Sequence, residues 1–225
     1  YYSEKAGYSV GSSLIFLRAI TEKNQKSKLQ QWLQNETLLD VKKLDDKKIA
    51  NLLIEIERVS HNGSMILAYA STYDALKDYF KRHNISVAGK SNITGMVSGS
   101  EMLFDDTRET IEKVFKCRCF SRYSNQENGV IGQDEKLNNI FILNEANYLV
   151  EIFKMDENKP AAEGEVGRII ITDLYNYAMP MIRYDTGDIG SLIYIERNGI
   201  KKKAIADFGG RKVDIVFDCS GNRLS

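Results

Sequence analysis

Residues 64–84 read SMILAYASTYDALKDYFKRHN, and this stretch decides the fold class. Its first half, Ser64 to Ser71, is apolar and strand-like. From Ser71 the period changes. Leu76, Tyr79 and Phe80 recur at helical spacing and face inward, and Ser71 and Asp74 have the spacing of a capping pair. A strand that runs straight into an amphipathic helix is half of a βαβ unit.

The same plan extends on both sides. SLIFLRAI, from Ser13 to Ile20, is a candidate buried strand. SKLQQWLQN puts Leu29, Trp32 and Leu33 at helical spacing. LDDKKIANLLIEIERVS is an amphipathic helix with Ile49, Leu52, Leu53, Ile56 and Val59 on one face, Asp45 as its cap, and Leu44 and Ile49 placed as a hydrophobic staple. Gly95 to Ser100 is a short strand. FDDTRETIEKVFK is a helix started by Asp105 or Asp106, with Ile111, Val114 and Phe115 buried, and Arg118 to Ser124 is again a strand. After residue 137 the rhythm becomes strands separated by Gly, Asn and Asp turns. The expected fold is α/β: a partly parallel sheet flanked by helices, followed by a small antiparallel sheet or barrel. The expected divisions are an α/β part over 1–137, an antiparallel part over 138–208, and a hinge with the start of a further domain over 209–225.

The chain has 225 residues and balances 31 Lys plus Arg against 31 Asp plus Glu. A zero net charge argues against a nucleic-acid or anionic-membrane surface, and Lys201 to Lys203 read as a solvated strand end. No apolar run approaches the roughly 20 residues of a membrane span. Cys117, Cys119 and Cys219 form no regular framework. His61 and His83 are too few to complete a zinc site with them, so reduced thiols in a cytoplasmic protein are expected. The start, YYSEKAGYS, is not a signal peptide and reads as mid-domain sequence.

Four loops carry candidate chemistry. Ser98, Gly99, Ser100 and Glu101 follow a strand, and small residues there let a flat ring approach the backbone; an ordinary strand-to-helix turn fits them as well. In YSNQENG, Tyr123 offers an aromatic face for a base and Glu127 a hard oxygen ligand for a divalent cation; a solvated polar loop is the alternative. Asp188, in AMPMIRYDTGDIG, offers two carboxylate oxygens to a vicinal diol such as ribose, or closes a tight turn. Arg183 sits beside apolar Met179, Met181 and Ile182, where a strand arginine needs an anion. In GGRKVD, Arg211 has the reach for a diol or phosphate, or decorates a hairpin turn.

Taken in order, SGSE, YSNQENG, GEVGRIIITDL, YDTGD and GRKVD resemble the adenylate-forming superfamily of acyl-CoA synthetases and adenylation domains. AMPMIRYDTGDIG is most similar to the phenylacetate–coenzyme A ligase branch, which includes relatives assigned to capsular polysaccharide biosynthesis. The likeness runs from about Gly95 to Asp214. It implies an ATP-dependent reaction in which a carboxylate becomes an acyl-adenylate, with release of pyrophosphate, and the acyl group then passes to a thiol, usually coenzyme A. An aryl acid such as phenylacetate is one candidate substrate. The resemblance assigns the adenine edge to Ser98–Glu101 and adenine contact to Tyr123, and counts Ser124, Asn125 and Gln126 among the cofactor-binding residues. It assigns Mg2+ to Glu127, the ribose hydroxyls to Asp188, and a second ribose contact to Arg211. Gln126 stands where Thr or Ser is common, and Val213 where a hinge Asp or Lys is usual. The superfamily's phosphate loop would lie upstream of Tyr1 and its lysine-bearing domain beyond Ser225. The chain is therefore expected to be the nucleotide-facing middle of such a ligase, unable to complete the reaction alone. A catalytically silent nucleotide-binding or interaction module is the alternative.

Overall fold

The computed structural model describes residues 1–22, 24–60, 62–134, 139–197 and 199–210, and the backbone alone of 211, 216–217 and 223–224. His61, Val213, Asp214 and Cys219 lie outside the described residues. The chain forms two compact units, Tyr1–Ser121 and Arg122–Ser225.

The first unit alternates strand and helix as the sequence predicts. Its elements are α1 (Tyr2–Lys5), β1 (Ser13–Arg18), α2 (Lys28–Leu33), β2 (Glu36–Asp40), α3 (Asp46–Val59), β3 (Ser64–Tyr69), α4 (Ala70–Arg82), β4 (Ile93–Gly99) and α5 (Asp105–Phe115). The strands pair in parallel in the order β2-β1-β3-β4. Ile15, Leu17, Ile66, Ala68 and Met96 face α3, α4 and α5, which bury Ile49, Leu52, Ile56, Tyr73, Leu76, Phe80, Ile111 and Val114 against them. The opposite face carries Met65, Val97 and Phe120, covered by Ala6 and Tyr8. That approach requires Gly95, because a Cβ there would lie 1.7 Å from the Ala6 carbonyl oxygen.

Helix starts differ from expectation in instructive ways. Asp45 caps α3 as expected, its carboxylate accepting the Lys48 N–H at 2.7 Å. Helix α4 instead begins after Tyr69, which gives no side-chain cap, and Ser71 donates its N–H to Glu101 Oε2 at 2.7 Å. Asp74 is taken by the Thr107 hydroxyl. Helix α5 begins after Phe104, so Asp105 and Asp106 lie in its first turn, where Asp106 pairs with Lys77 and Lys81. Leu29, Trp32 and Leu33 do not face a core. Helix α2 is one and a half turns held by a Ser27–Gln30 capping box, and no residue of it is buried.

Antiparallel pairing starts earlier than residue 137. Strand β5 (Cys119–Asn125) crosses from one unit to the other and turns back through a hairpin into β6 (Gly129–Asp134). Then follow β7 (Phe141–Leu143), β8 (Tyr148–Phe153), β9 (Val166–Asp173), β10 (Tyr184–Arg197) and β11 (Ile200–Arg211), in the order β5-β6-β7-β11-β10-β9-β8. Two short strands, β12 (Val216–Phe217) and β13 (Arg223–Leu224), pair with each other. Tyr123, Ile131, Phe141, Tyr148, Ile152, Ile169 and Ile205 fill this unit's core. The fold is the mixed α/β arrangement read from the sequence.

Candidate functional site

The centre of interest in the second unit is a pair of bulges. Between β9 and β10, Asp185 pairs with Ile170 and Ile189 with Arg168, so Thr186, Gly187 and Asp188 stand opposite the single residue Ile169. TGD is thus a bulge inside a long strand rather than a turn at its end. Gly187 permits it by adopting φ +75°. Bulges re-aim side chains, and this one is tied at every residue. Asp185 Oδ1 accepts the Gly187 N–H at 3.0 Å. The Thr186 hydroxyl accepts the Asp188 N–H at 3.1 Å and donates to the Ile169 carbonyl at 3.0 Å. The second bulge lies opposite Gly190, where β11 carries Asp207, Phe208 and Gly209 between the paired residues Ala206 and Gly210.

Asp188 emerges from this scaffold buried, with the Tyr123 hydroxyl donating to its Oδ2 at 2.9 Å and lying 3.4 Å from the Thr186 hydroxyl. A buried carboxylate needs such donors, since desolvation penalises its charge. Tyr123 itself is only 5% exposed. Its ring sits 4.7 Å from that of Phe208, in the β11 bulge, and 6.1 Å from that of Phe141. The backbone of Arg211 pairs with Asp188 across β10 and β11.

The other candidates of this unit lie on the β5–β6 hairpin. Asn125 closes its loop, its Oδ1 accepting the Asn128 N–H at 2.7 Å and its Nδ2 donating to Asn128 Oδ1 at 3.1 Å. Tyr148 buttresses the loop from beneath by donating to the Asn128 carbonyl. Burial, helped by the Asp173 charge, raises the Tyr148 phenol above its ordinary pKa, so it remains a donor at neutral pH. Ser124 is half-buried, and Gln126 and Glu127 project into solvent at the tip.

In the first unit, Ser98 and Gly99 close β4, and Ser100 and Glu101 follow it directly. Ser98 is fully buried, and its hydroxyl has no hydrogen-bond partner among the described residues. Ser100 takes φ +69°, an uncommon region for a residue with a side chain. Glu101 caps α4, as described above.

Arg183 finds its anion, though not in a strand. Met179 and Ile182 are exposed, and Arg183 precedes β10 at φ +52°. Its guanidinium grips Glu151 through two bonds of 3.0 and 3.1 Å and lies over the Phe153 ring. The sequence reading missed Arg168, whose guanidinium donates to Asp185 at 2.6 Å, to Asn158 at 2.8 Å, and to the carbonyls of Lys154 and Glu157. The signal was available: an arginine inside the apolar strand GRIIIT needs an anion as much as Arg183 does.

No family model matches the chain. Over 50 residues, 22% of this chain and 11% of the relative, it is 42% identical to a phenylacetate–coenzyme A ligase of Thermus thermophilus. Solved structures match nearly all of it. An open conformation of 2-hydroxyisobutyryl-CoA ligase, in complex with 2-HIB-AMP and CoA, superposes with a TM-score of 0.67 at 13% identity, covering 95% of this chain and 51% of that one. The same ligase in its postadenylation state with 2-HIB-AMP gives 0.71 at 13% identity, covering 95% and 46%. ATP-bound MatB from Rhodopseudomonas palustris gives 0.60 at 15% identity, covering 94% and 42%. The chain thus spans about half the length of the solved structures it matches. It has the fold of the adenylate-forming acyl-coenzyme A ligases, and its sequence match is to the phenylacetate–coenzyme A ligase branch of that superfamily.

Proposed function

We propose that this chain is the nucleotide-holding portion of an ATP-dependent, AMP-forming acid–thiol ligase, which activates a small carboxylic acid as its adenylate for transfer to coenzyme A. The observation that carries this reading is Asp188: a buried carboxylate, aimed by a bulge that Thr186 and Asp185 tie down, within a fold shared with ligases solved in complex with ATP, acyl-AMP and CoA. In this role Asp188 accepts hydrogen bonds from the ribose diol, with Arg211 as the second ribose contact. Glu127, exposed at the hairpin tip, would hold Mg2+ as a hard oxygen ligand, and the ion would supply neutralisation of phosphate charge. Attack at a phosphorus centre gains most from such positioning and charge neutralisation. The likeness to a phenylacetate–coenzyme A ligase supports an aryl acid as the substrate class.

The metal part of the reading is tested by titrating ATP with and without Mg2+ into the wild-type chain and Glu127→Gln. The expected result is that Mg2+ tightens ATP binding to the wild type and not to the variant, while both bind AMP alike. An unchanged Mg2+ response in Glu127→Gln would remove Glu127 from the site.

A further inference from the structure

Arg18 ends β1 without an anion. Its Nε is buried with no acceptor, and its side chain makes no ion pair or hydrogen bond among the described residues. The guanidinium carbon lies 4.8 Å from the centroid of the Phe16 ring. Asp40 is the register partner of Arg18 on β2, but its carboxylate is taken. Oδ1 accepts the Ile20 and Lys42 N–H groups at 3.0 and 3.3 Å, and Oδ2 accepts the Lys48 ammonium at 3.0 Å. A half-buried guanidinium has lost hydration that only an oxyanion restores in full. We propose that Arg18 is the carboxylate-binding residue of an organic-acid site at the carboxyl edge of the first unit's parallel sheet. The site stands on these observations; only the role of its ligand, as the acid to be activated, rests on the ligase reading above.

The neighbours supply the rest of the site. Arg18, Tyr69 and Gly99 are the last residues of β1, β3 and β4. In an α/β sheet, ligands bind beyond such ends. Side chains alternate along a strand, so Phe16 and Arg18 lie on the face opposite Ile15 and Leu17, the face that carries Leu67, Tyr69 and Val97. Phe16 pairs in register with Leu67, and Tyr69 with Gly99. Phe16, Leu67 and Tyr69 are half-buried, and a Cβ on Gly99 would meet nothing within 4 Å. The Tyr69 hydroxyl has no hydrogen bond among the described residues. The result is a shelf with a cation at one end, an apolar floor, an available phenol, and open space at the far end. From β1 to β4 is two strand spacings, roughly 10 Å. That span suits an acid with one aromatic ring or a short aliphatic body, and the planar fork of an arginine matches its carboxylate.

The test titrates phenylacetate, its neutral counterpart phenylacetamide, and inorganic phosphate into the wild-type chain, Arg18→Gln and Arg18→Lys, read by ligand-observed NMR. The wild type is expected to bind phenylacetate about tenfold more tightly than phenylacetamide. Arg18→Gln should abolish that preference and leave phenylacetamide within about twofold, while Arg18→Lys keeps part of it. Retained phenylacetamide binding, with an unchanged urea midpoint, shows that Arg18→Gln is folded. A parallel loss of both ligands with a lowered midpoint would assign Arg18 to packing and overturn the inference. So would absence of phenylacetate binding, equal binding of acid and amide, or phosphate binding through Arg18 with no response to phenylacetate. The nucleotide titrations decide the parent reading separately: Arg18-dependent acid binding in a chain that binds neither AMP nor Mg-ATP would sustain this site and overturn the ligase.

Discussion

The two units place polar residues differently. In the first, Glu101, which follows β4, serves the end of a helix by accepting an α4 N–H from outside it. In the second, polar residues stand inside long strands at bulges, where Thr186, Asp188 and Tyr123 bond to one another and Asp185 holds the Gly187 N–H and Arg168. A helix cap acts alone and can be removed alone. A bulge network acts as a unit, because one hydroxyl serves several partners at once. The difference indicates where a rigid recognition group belongs in this fold.

The sharpest way to break that contrast is Thr186→Val, which keeps the shape and deletes the hydroxyl. Both the Asp188 N–H and the Ile169 carbonyl lose the Thr186 hydroxyl, at a cost on the order of 2–4 kcal/mol in urea unfolding. A loss below about 1 kcal/mol would mean that the bulge does not depend on it. Combining Thr186→Val with Tyr123→Phe should give non-additive losses, with a coupling of about 0.5–1.5 kcal/mol; strict additivity would dissolve the network into independent bonds. On the first unit's side, Glu101→Gln should cost roughly 0.5–1 kcal/mol through the α4 terminus and show no coupling to either. Burial, with Glu112 adding its charge, pushes the Cys117 thiol up to about 12. The unfolded chain therefore releases this proton first, and the thiol's contribution to stability, full below its ordinary pKa, is lost as pH rises from about 9 toward 12. Comparing alkaline unfolding of the wild type and Cys117→Ala isolates that slope. The smallest change is expected from Glu127→Gln, which should leave stability within about 0.5 kcal/mol.

Much of the first unit was legible because its signals are local. Asp45 and Lys48 are three residues apart, and the α3 stripe of Ile49, Leu52 and Ile56 follows from periodicity alone. The start of α4 was not legible, since its acceptor, Glu101, lies 30 residues from Ser71. For Leu29, Trp32 and Leu33 the helical spacing is realised in α2, yet all three side chains are exposed. In the second unit the strands were evident from alternation and Gly-rich breaks. YSNQENG drew attention as a ligand loop, which hid its other identity as the hairpin turn between β5 and β6. The importance of Tyr123, Asp185 and Asp188 was visible in the residue types. Their partners were not, because Tyr123–Asp188, Arg168–Asp185 and Arg183–Glu151 join residues 65, 17 and 32 positions apart through strand register.

The central claim is that Asp188 holds a ribose. It is tested most directly by calorimetric titration of AMP and Mg-ATP into this chain and into Asp188→Ala. Loss of a charged acceptor should weaken both nucleotides by about 1.5–3 kcal/mol, roughly ten- to hundredfold, with the protein still folded. Equal affinities in the wild type and the variant, or no binding to the wild type, would contradict the account.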